Sequence, residues 1–344
     1  MPIATNIATN IATNIATTIT TTIATSFAQP RRLAGPRPAP RAIATFLALA
    51  SAALFSATLS TAAQADTSIV MLGTGTPVPD GERAGSGVAV IHDGEAYLFD
   101  VGPGVVERAS QAQERMGIEA LAPVNIERLF LTHLHSDHVL DYPELLGTYW
   151  WRREQPISVV GPVGTEAMSQ GVYTMLAEDT NTRLADKSPV TNPAAARALV
   201  TEIEKEGLVH ESPGISIHAF GVTHGDWEQA YGYKVVTDDL TLVISGDTSL
   251  SEEVRRQASG ADVLIHEVIS RQGWEQLSPQ WQAYHQYAHT LSDELAELAR
   301  EARPGTLVLT HVLHYSAPRE SVLDEVRADY DGRVLLPDDL DVIE

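Results

Sequence analysis

From residue 68 onward the chain alternates between short β-rich runs and amphipathic stretches. Apolar, often β-branched segments stand at 68–72, 87–91, 96–100, 126–132, 157–161, 215–220, 231–236, 240–245, 263–266 and 306–310. Gly, Pro, Asp or Ser bounds most of them, which is the punctuation expected of strands. Helical patterns fall between them at 105–116, 165–176, 194–205 and 291–302. The last of these has Thr290 or Ser292 as N-cap, Leu291, Leu295 and Leu298 as an apolar stripe, and Pro304-Gly305 as its stop. Many strands with interspersed helices and no internal repeat predict a layered α/β sandwich. Residues 66–344 read as one domain, with 162–214 as a mostly helical insertion.

The first 65 residues follow different rules. Residues 1–29 are uncharged and repeat Ile-Ala-Thr-Asn, a low-complexity pattern with no core to build. Arg31, Arg32, Arg37 and Arg41 come next, then an apolar run to about residue 59, then Ala63-Gln64-Ala65. That order is the n-region, h-region and cleavage site of a secretory signal peptide, with the mature chain starting at Asp66. The run is short and rich in Ala, Ser and Thr, which favours cleavage over anchoring. The expectation is a periplasmic or secreted protein without membrane attachment.

Composition narrows the chemistry. The chain carries 45 acidic against 23 basic side chains, net −22, and no cysteine. The four arginines above are the only charges before Asp66, so the remainder stands near −26. A surface that acidic repels a phosphate backbone, so nucleic acid is expected to be an unlikely partner and a small-molecule ester the substrate. Without cysteine there is no disulfide scaffold, cysteine nucleophile or thiolate metal site. Any metal must be held by nitrogen and oxygen.

The run Leu131-Thr132-His133-Leu134-His135-Ser136-Asp137-His138 directly follows an apolar strand. Three imidazoles and a carboxylate in six residues do not make a core-facing strand, because burial would leave them unpaired. At a strand end turning into a loop, His133 and His135 can grip one metal, and Asp137 and His138 a second. Imidazole and carboxylate suit zinc. Three more apolar strands lead to ligand-type residues, at His224, Asp247 and His311. Four such ends imply one converging site at the C-terminal edges of strands. His92, His210, His218, His285 and His314 lack this context and read as ordinary.

This ordered set resembles the metallo-β-lactamase-fold hydrolases over roughly residues 69–311. The resemblance implies an αββα sandwich and two zinc ions. One would sit on His133, His135 and His224, the second on Asp137, His138 and His311, with Asp247 bridging both. Three further motifs resemble the ribonuclease Z and phosphodiesterase branch, to which exported arylsulfatases of this fold also belong. They are Gly73-Thr74-Gly75-Thr76-Pro77, His266-Glu267, and His289-Thr290 ahead of a helix. Two departures are Val268-Ile269, where ribonuclease Z usually has alanine and threonine, and His289-Thr290 in place of His-Ser-Thr. Neither alters a ligand.

The implied reaction is hydrolysis of a phosphate or sulfate ester by a metal-bridging hydroxide. Asp137 is both ligand and catalytic candidate, and His289, oriented by Glu267, is the candidate proton donor to the leaving group. The alternatives are a ribonuclease Z-like endonuclease, a lactonase or β-lactamase of the same fold, or a non-catalytic zinc-binding protein. Tyr149-Trp150-Trp151 can wall a cleft or fill a core. Arg83 and Ser86 can reach an anionic oxygen, and a homodimer is compatible with the insertion.

Overall fold

Period-two alternation along the strands sorts their side chains into separate apolar layers. In β1 (Ser68–Gly73), Ile69 and Met71 face one layer while Val70 and Leu72 face another. The same split recurs in β2 (Gly87–His92), between Val88 and Val90 and their neighbours Ala89 and Ile91. It recurs again in β3 (Glu95–Phe99), between Tyr97 and Phe99 and their neighbours Ala96 and Leu98. A strand buried on both faces must lie between two layers.

The computed structural model describes residues 67–185 and 187–343, so the low-complexity and export segments expected over 1–65 lie outside it. The chain continues with β4 (Arg128–Phe130), β5 (Ser158–Gly161), β6 (Leu199–Glu202), β7 (Gly207–Ser212), β8 (Ile215–Val222), β9 (Ala230–Thr237) and β10 (Thr241–Ile244). Then follow β11 (Val263–Ile269), β12 (Thr306–Leu313), β13 (Arg333–Leu335) and β14 (Val342–Ile343). Two seven-stranded sheets result, ordered β14-β1-β2-β3-β4-β5-β6 and β13-β12-β11-β10-β9-β8-β7. Between them lies an apolar layer that includes Phe99, Phe130 and Tyr233, with ring centroids 5.1–5.9 Å apart.

Helices cover the two outer faces. Val105–Met116 places Val105, Val106, Ala109 and Ala112 against the first sheet. Ser292–Ala302 and Ser321–Asp329 bury Leu295, Leu298, Val322 and Val326 against the second. This is the αββα sandwich that the family resemblance implied. Among the described residues no helix is long and apolar enough to cross a membrane.

Three local expectations change. The helix expected over 194–205 is a 3₁₀ turn, Pro193–Ala196, followed by β6, which pairs in parallel with β5. Its alternating exposure is that of an edge strand, so pairing overrides alanine-rich helix propensity. Segment 162–214 carries the helices Thr165–Met175 and Ala177–Ala185 but also β6 and β7, one edge strand for each sheet. It is therefore not mainly helical. The N-cap of Ser292–Ala302 is Leu291, whose N–H donates to Glu294 Oε2 (3.1 Å), while Ser292 Oγ donates to Glu325 Oε2 (2.6 Å).

Strand direction fixes where chemistry can gather. β3, β4 and β5 are mutually parallel. In the other sheet β10, β11 and β12 are parallel, and β8 runs with β10 because each is antiparallel to β9. The C-terminal ends of β3, β4, β8, β10 and β12 carry the residues described next.

Candidate metal centre

Leaving β4, the chain passes through Thr132 and His133 into a short helix, Ser136–Val139, with His135 as N-cap. The turn after β3 and the loop before β2 lock this segment: Val101 N–H donates to His138 O (2.8 Å) and Ser86 N–H to Asp137 O (2.9 Å). The packing needs glycine at 102, since a Cβ there would stand 2.0 Å from the Asp137 carbonyl oxygen. His224 lies two residues beyond β8, and Asp247 follows Gly246, which has φ +62° after β10.

His311 is placed differently from the expectation that it follows a finished strand. β12 continues to Leu313, and Glu267 pairs with Thr310 while Val268 pairs with Val312. His311 is the extra residue of a bulge, at φ +47°. A bulge re-aims one side chain out of the pleat, and the left-handed backbone costs a non-glycine residue about 1–3 kcal/mol.

The structure brings all seven expected donors together, nearly all of them buried. His133 Nε2 and His224 Nε2 each stand 3.0 Å from His135 Nδ1. His311 Nε2 lies 3.0 Å from Asp137 Oδ2, and His138 Nε2 lies 3.6 Å from the same oxygen. Asp247 Oδ2 is central to both groups. It lies 3.4 Å from His138 Nε2 and His311 Nε2, 3.9 Å from His224 Nε2 and 4.0 Å from His133 Nε2.

Hydrogen bonds behind the rings decide which nitrogen faces inward. His138 Nδ1–H donates to Asp100 Oδ2 (2.7 Å), and His224 Nδ1–H donates to Ala288 O (2.7 Å). Thr132 Oγ1 donates to Asp100 Oδ2 (2.8 Å) and accepts from His133 Nδ1–H (3.0 Å). Each of these Nε2 atoms therefore presents a lone pair to the centre. His138 Nε2 has no aligned hydrogen bond although two carboxylates stand close by. Lone pairs and carboxylates converging on one buried volume are the donor set of a divalent cation.

The buried carboxylates also draw positive charge to the centre. Burial pushes His138 down, but the Asp247 and Asp100 carboxylates outweigh it and hold its pKa well above the usual imidazole range. Burial likewise opposes His311, which Asp247 and Asp137 nevertheless raise to about 9. His133 is driven well below its ordinary value, first by burial and then by His138. Asp247 is buried, which would raise it, yet His311 and His138 hold it well below the carboxylate range.

Asp100 escaped the sequence reading, which saw only a strand end. It is buried at φ +58°, and besides its two side-chain partners it accepts from Thr132 N–H (2.8 Å). Its signal was available: Asp-Val-Gly-Pro is a poor strand ending unless the carboxylate has work. Trp227 was missed as well; its Nε1–H donates to His135 Nε2 (2.8 Å).

His289 and Glu267 also reach the centre, but not as a simple orienting pair. His289 Nδ1 is 3.3 Å from Glu267 Oε1 without hydrogen-bond alignment, and 4.0 Å from Asp247 Oδ2. Glu267 Oε1 instead accepts from Thr248 N–H (3.2 Å) and Thr290 N–H (3.0 Å), tying together the loops that carry Asp247 and His289.

A cavity of about 540 Å³ opens beside Asp137, Asp247 and His289. Its wall is not Tyr149-Trp150-Trp151. Trp150 is buried in the core, and Trp151 lies under Arg183, 3.6 Å from its guanidinium carbon. Trp281, Tyr284, His285 and Tyr315 line the cavity together with Val78, Leu277 and Leu313, so His285 is less ordinary than expected. Arg83 is held by Thr74 Oγ1 and Asp338.

The comparisons with known proteins fit this geometry. The family model described as β-lactamase superfamily domain matches residues 95–312. A ribonuclease Z of Mycobacterium sp. (strain KMS) is 33% identical over 283 residues, covering 80% of this chain and 95% of the relative. The chain belongs to the metallo-β-lactamase superfamily, in its ribonuclease Z branch. Two solved structures share the fold of this metallohydrolase. The metallo-β-lactamase fold protein YhfI from Bacillus subtilis has TM-score 0.61 and 18% identity, covering 81% of this chain and 100% of its own. Human tRNase Z, short form, has TM-score 0.58 and 24% identity, covering 80% and 98%.

These relatives overturn one expectation. The acidic balance predicts that nucleic acid is an unlikely partner, yet the matched relative is by name a ribonuclease. Net charge averages over a whole surface, whereas an ester is held at one site whose cations act within about one Debye length, roughly 8–10 Å.

Proposed function

We propose that this metallohydrolase is a dinuclear zinc phosphodiesterase and that an RNA phosphodiester is the first substrate to test. The observation that carries the reading is the position of Asp247 Oδ2, within 4.0 Å of imidazole nitrogens from both ligand groups. One carboxylate between two sets of donors is the arrangement of a shared, two-metal site. The ribonuclease Z relative supports phosphodiester rather than sulfate ester hydrolysis.

In this reading His133, His135 and His224 hold one zinc, Asp137, His138 and His311 the other, and Asp247 both. Bound there, the pair supplies an activated water and charge stabilisation on the ester oxygens. Asp100 keeps His138 in the ligating tautomer and, through Thr132, does the same for His133. The Ala288 carbonyl does so for His224. His289, on the cavity side, gives a proton to the departing oxygen, and Glu267 fixes the loop from which it reaches.

The test is hydrolysis by metal-loaded protein of bis(4-nitrophenyl) phosphate and a single-stranded RNA oligonucleotide, beside 4-nitrophenyl sulfate and a cephalosporin. Diester and RNA cleavage, abolished by chelator and restored by zinc, is expected. Turnover confined to the sulfate or the cephalosporin overturns the reading. Export is part of the proposal, supported by the pattern over 31–65, and N-terminal sequencing of the mature protein tests it.

A further inference from the structure

The helix Pro279–Ala288 breaks the usual economy of aromatic residues. Trp281, Tyr284 and Tyr287 follow one another at spacings of three, so they share one face, and they are 55%, 47% and 51% exposed. Among the described residues the other strongly exposed aromatic is Tyr149, which lines no cavity at the metal centre. Large rings left in water on one helix, beside a reactive centre, call for a partner.

Two clefts meet at this helix. Trp281 and Tyr284 line the cavity of about 540 Å³ that reaches Asp137, Asp247 and His289. Tyr284 also lines the neighbouring cleft of about 330 Å³, with Tyr287, which reaches His135 and His224. Among the described residues no lysine or arginine lines either one. The imidazole in the wall, His285, adds no charge near neutrality, since burial and His289 push it down to about 4. His285 backs one face of Trp281 at 5.6 Å and 24°, and Tyr284 meets the indole edge-on at 5.6 Å and 89°. Trp281 lines the cavity and stays 55% exposed, so much of the indole is free for a ligand.

A wall of rings without cations cannot hold flanking phosphates by charge, but it can hold a flat apolar group by stacking. We propose that Trp281 and Tyr284 are a stacking platform for a planar aromatic ring on one ester substituent, a nucleobase or an aryl group. The ring sets the specificity of the site, and the centre beside it takes the phosphate. The assignment rests on the phosphodiester reading above and deepens it.

The test uses binding, read by calorimetry on the zinc-loaded protein, with probe pairs that differ by the ring. These are adenosine 5′-monophosphate against ribose 5-phosphate, and phenyl phosphate against methyl phosphate. Stacking on an aromatic side chain corresponds to about 5- to 150-fold in affinity, so at least one ring-bearing probe is expected to bind that much tighter. The Trp281→Ala/Tyr284→Ala protein should bring the ratio close to one while ribose 5-phosphate binds as before. Trp281→Phe, which keeps a ring, should retain most of it. A preference in the first pair assigns a nucleobase, and in the second alone an aryl group. Ratios near one in the unaltered protein, or ratios that survive the double substitution, overturn the platform. Intact ring selectivity without hydrolysis of either bis(4-nitrophenyl) phosphate or RNA overturns the phosphodiester reading alone.

Discussion

Replacing Asp100 by Asn tests whether one buried carboxylate sets up both halves of the metal centre. Asn tolerates the left-handed backbone at this position, φ +58°, so the turn should survive. Its Oδ1 can still accept from Thr132 N–H, now 2.8 Å from the aspartate oxygen. The amide nitrogen then replaces Oδ2, which accepts from both His138 Nδ1–H and Thr132 Oγ1–H. A donor now faces a donor. His138 escapes by moving its proton to Nε2, the nitrogen that faces Asp247 and Asp137, and so loses its lone pair there. The hydroxyl of Thr132 can turn toward His133 Nδ1 and push that ring the same way, but it has a softer escape through rotation. Removing a carboxylate behind a metal-ligating histidine costs about 10- to 100-fold in metal affinity, or about 1.4–2.7 kcal/mol. The loss should fall most on the ion held by His138. Competition titration against a chromophoric chelator, with metal content measured after dialysis, reads both ions. Thr132→Val is the control: it removes only the hydroxyl behind His133, so the weaker effect should move to the other ion. Asp100→Asn protein that binds two ions with unaltered affinity refutes the argument.

Asp247→Ala should lose most activity and weaken both ions, because their shared carboxylate is gone and the two positive charges face each other less screened; two tightly held metals with near-normal turnover would show that Asp247 is not the bridge. His289→Ala should slow an alkyl diester by up to about 10²–10⁴-fold and a nitrophenyl diester much less; equal losses on both would make His289 structural. Metal ligation through His135 Nδ1 puts that ring's proton on Nε2, opposite the Trp227 N–H, so zinc addition should break the indole contact. The fluorescence change it produces should be absent in Trp227→Phe. In chelator-treated protein His311 titrates near 9 rather than at its ordinary 6.5, raised by Asp247 and Asp137 against burial. A raised pKa contributes stability that is complete below about 6.5 and is lost as pH rises through about 9. Urea unfolding should therefore weaken between those values, and a profile that His311→Gln leaves unchanged contradicts it.

Much of the candidate donor set is legible in the sequence because metal chemistry constrains residue type so strongly. His133, His135, Asp137 and His138 crowd one loop, and His224 and Asp247 each follow an apolar strand, so type and position are both visible in one dimension. What was illegible lies in the third dimension. Asp100 reads as the last residue of a strand until its carboxylate is seen behind His138. His311 reads as following a strand, because a bulge is a mismatch between two strands and neither strand shows it alone. Tyr149-Trp150-Trp151, near the ligands in sequence, reads as cleft wall or as core, and Trp150 is core. The aromatic wall comes from Pro279–Ala288, whose exposed rings carry no periodic apolar signal distinct from an ordinary helix. Edge strand β6 was misread for a related reason: its four residues pair with a neighbour the local sequence does not name.

Net charge misleads here for a reason that bears on substrate choice. A balance near −26 over residues 66–344 describes the far field, and it governs how fast a long polyanion is gathered from solution. It does not describe the few ångströms around Asp247, where seven donor groups are arranged to hold positive charge. With the proposed cations in place, a phosphodiester there would be neutralised locally, and the carboxylates beyond a Debye length are screened. What the acidic surface removes is only the extra affinity that flanking phosphates bring to a basic groove, about one released counterion for each contact. A site that forgoes that term must find its selectivity in what is attached to the scissile ester. The exposed rings of Trp281 and Tyr284, at a cavity that no lysine or arginine lines among the described residues, suit that kind of recognition.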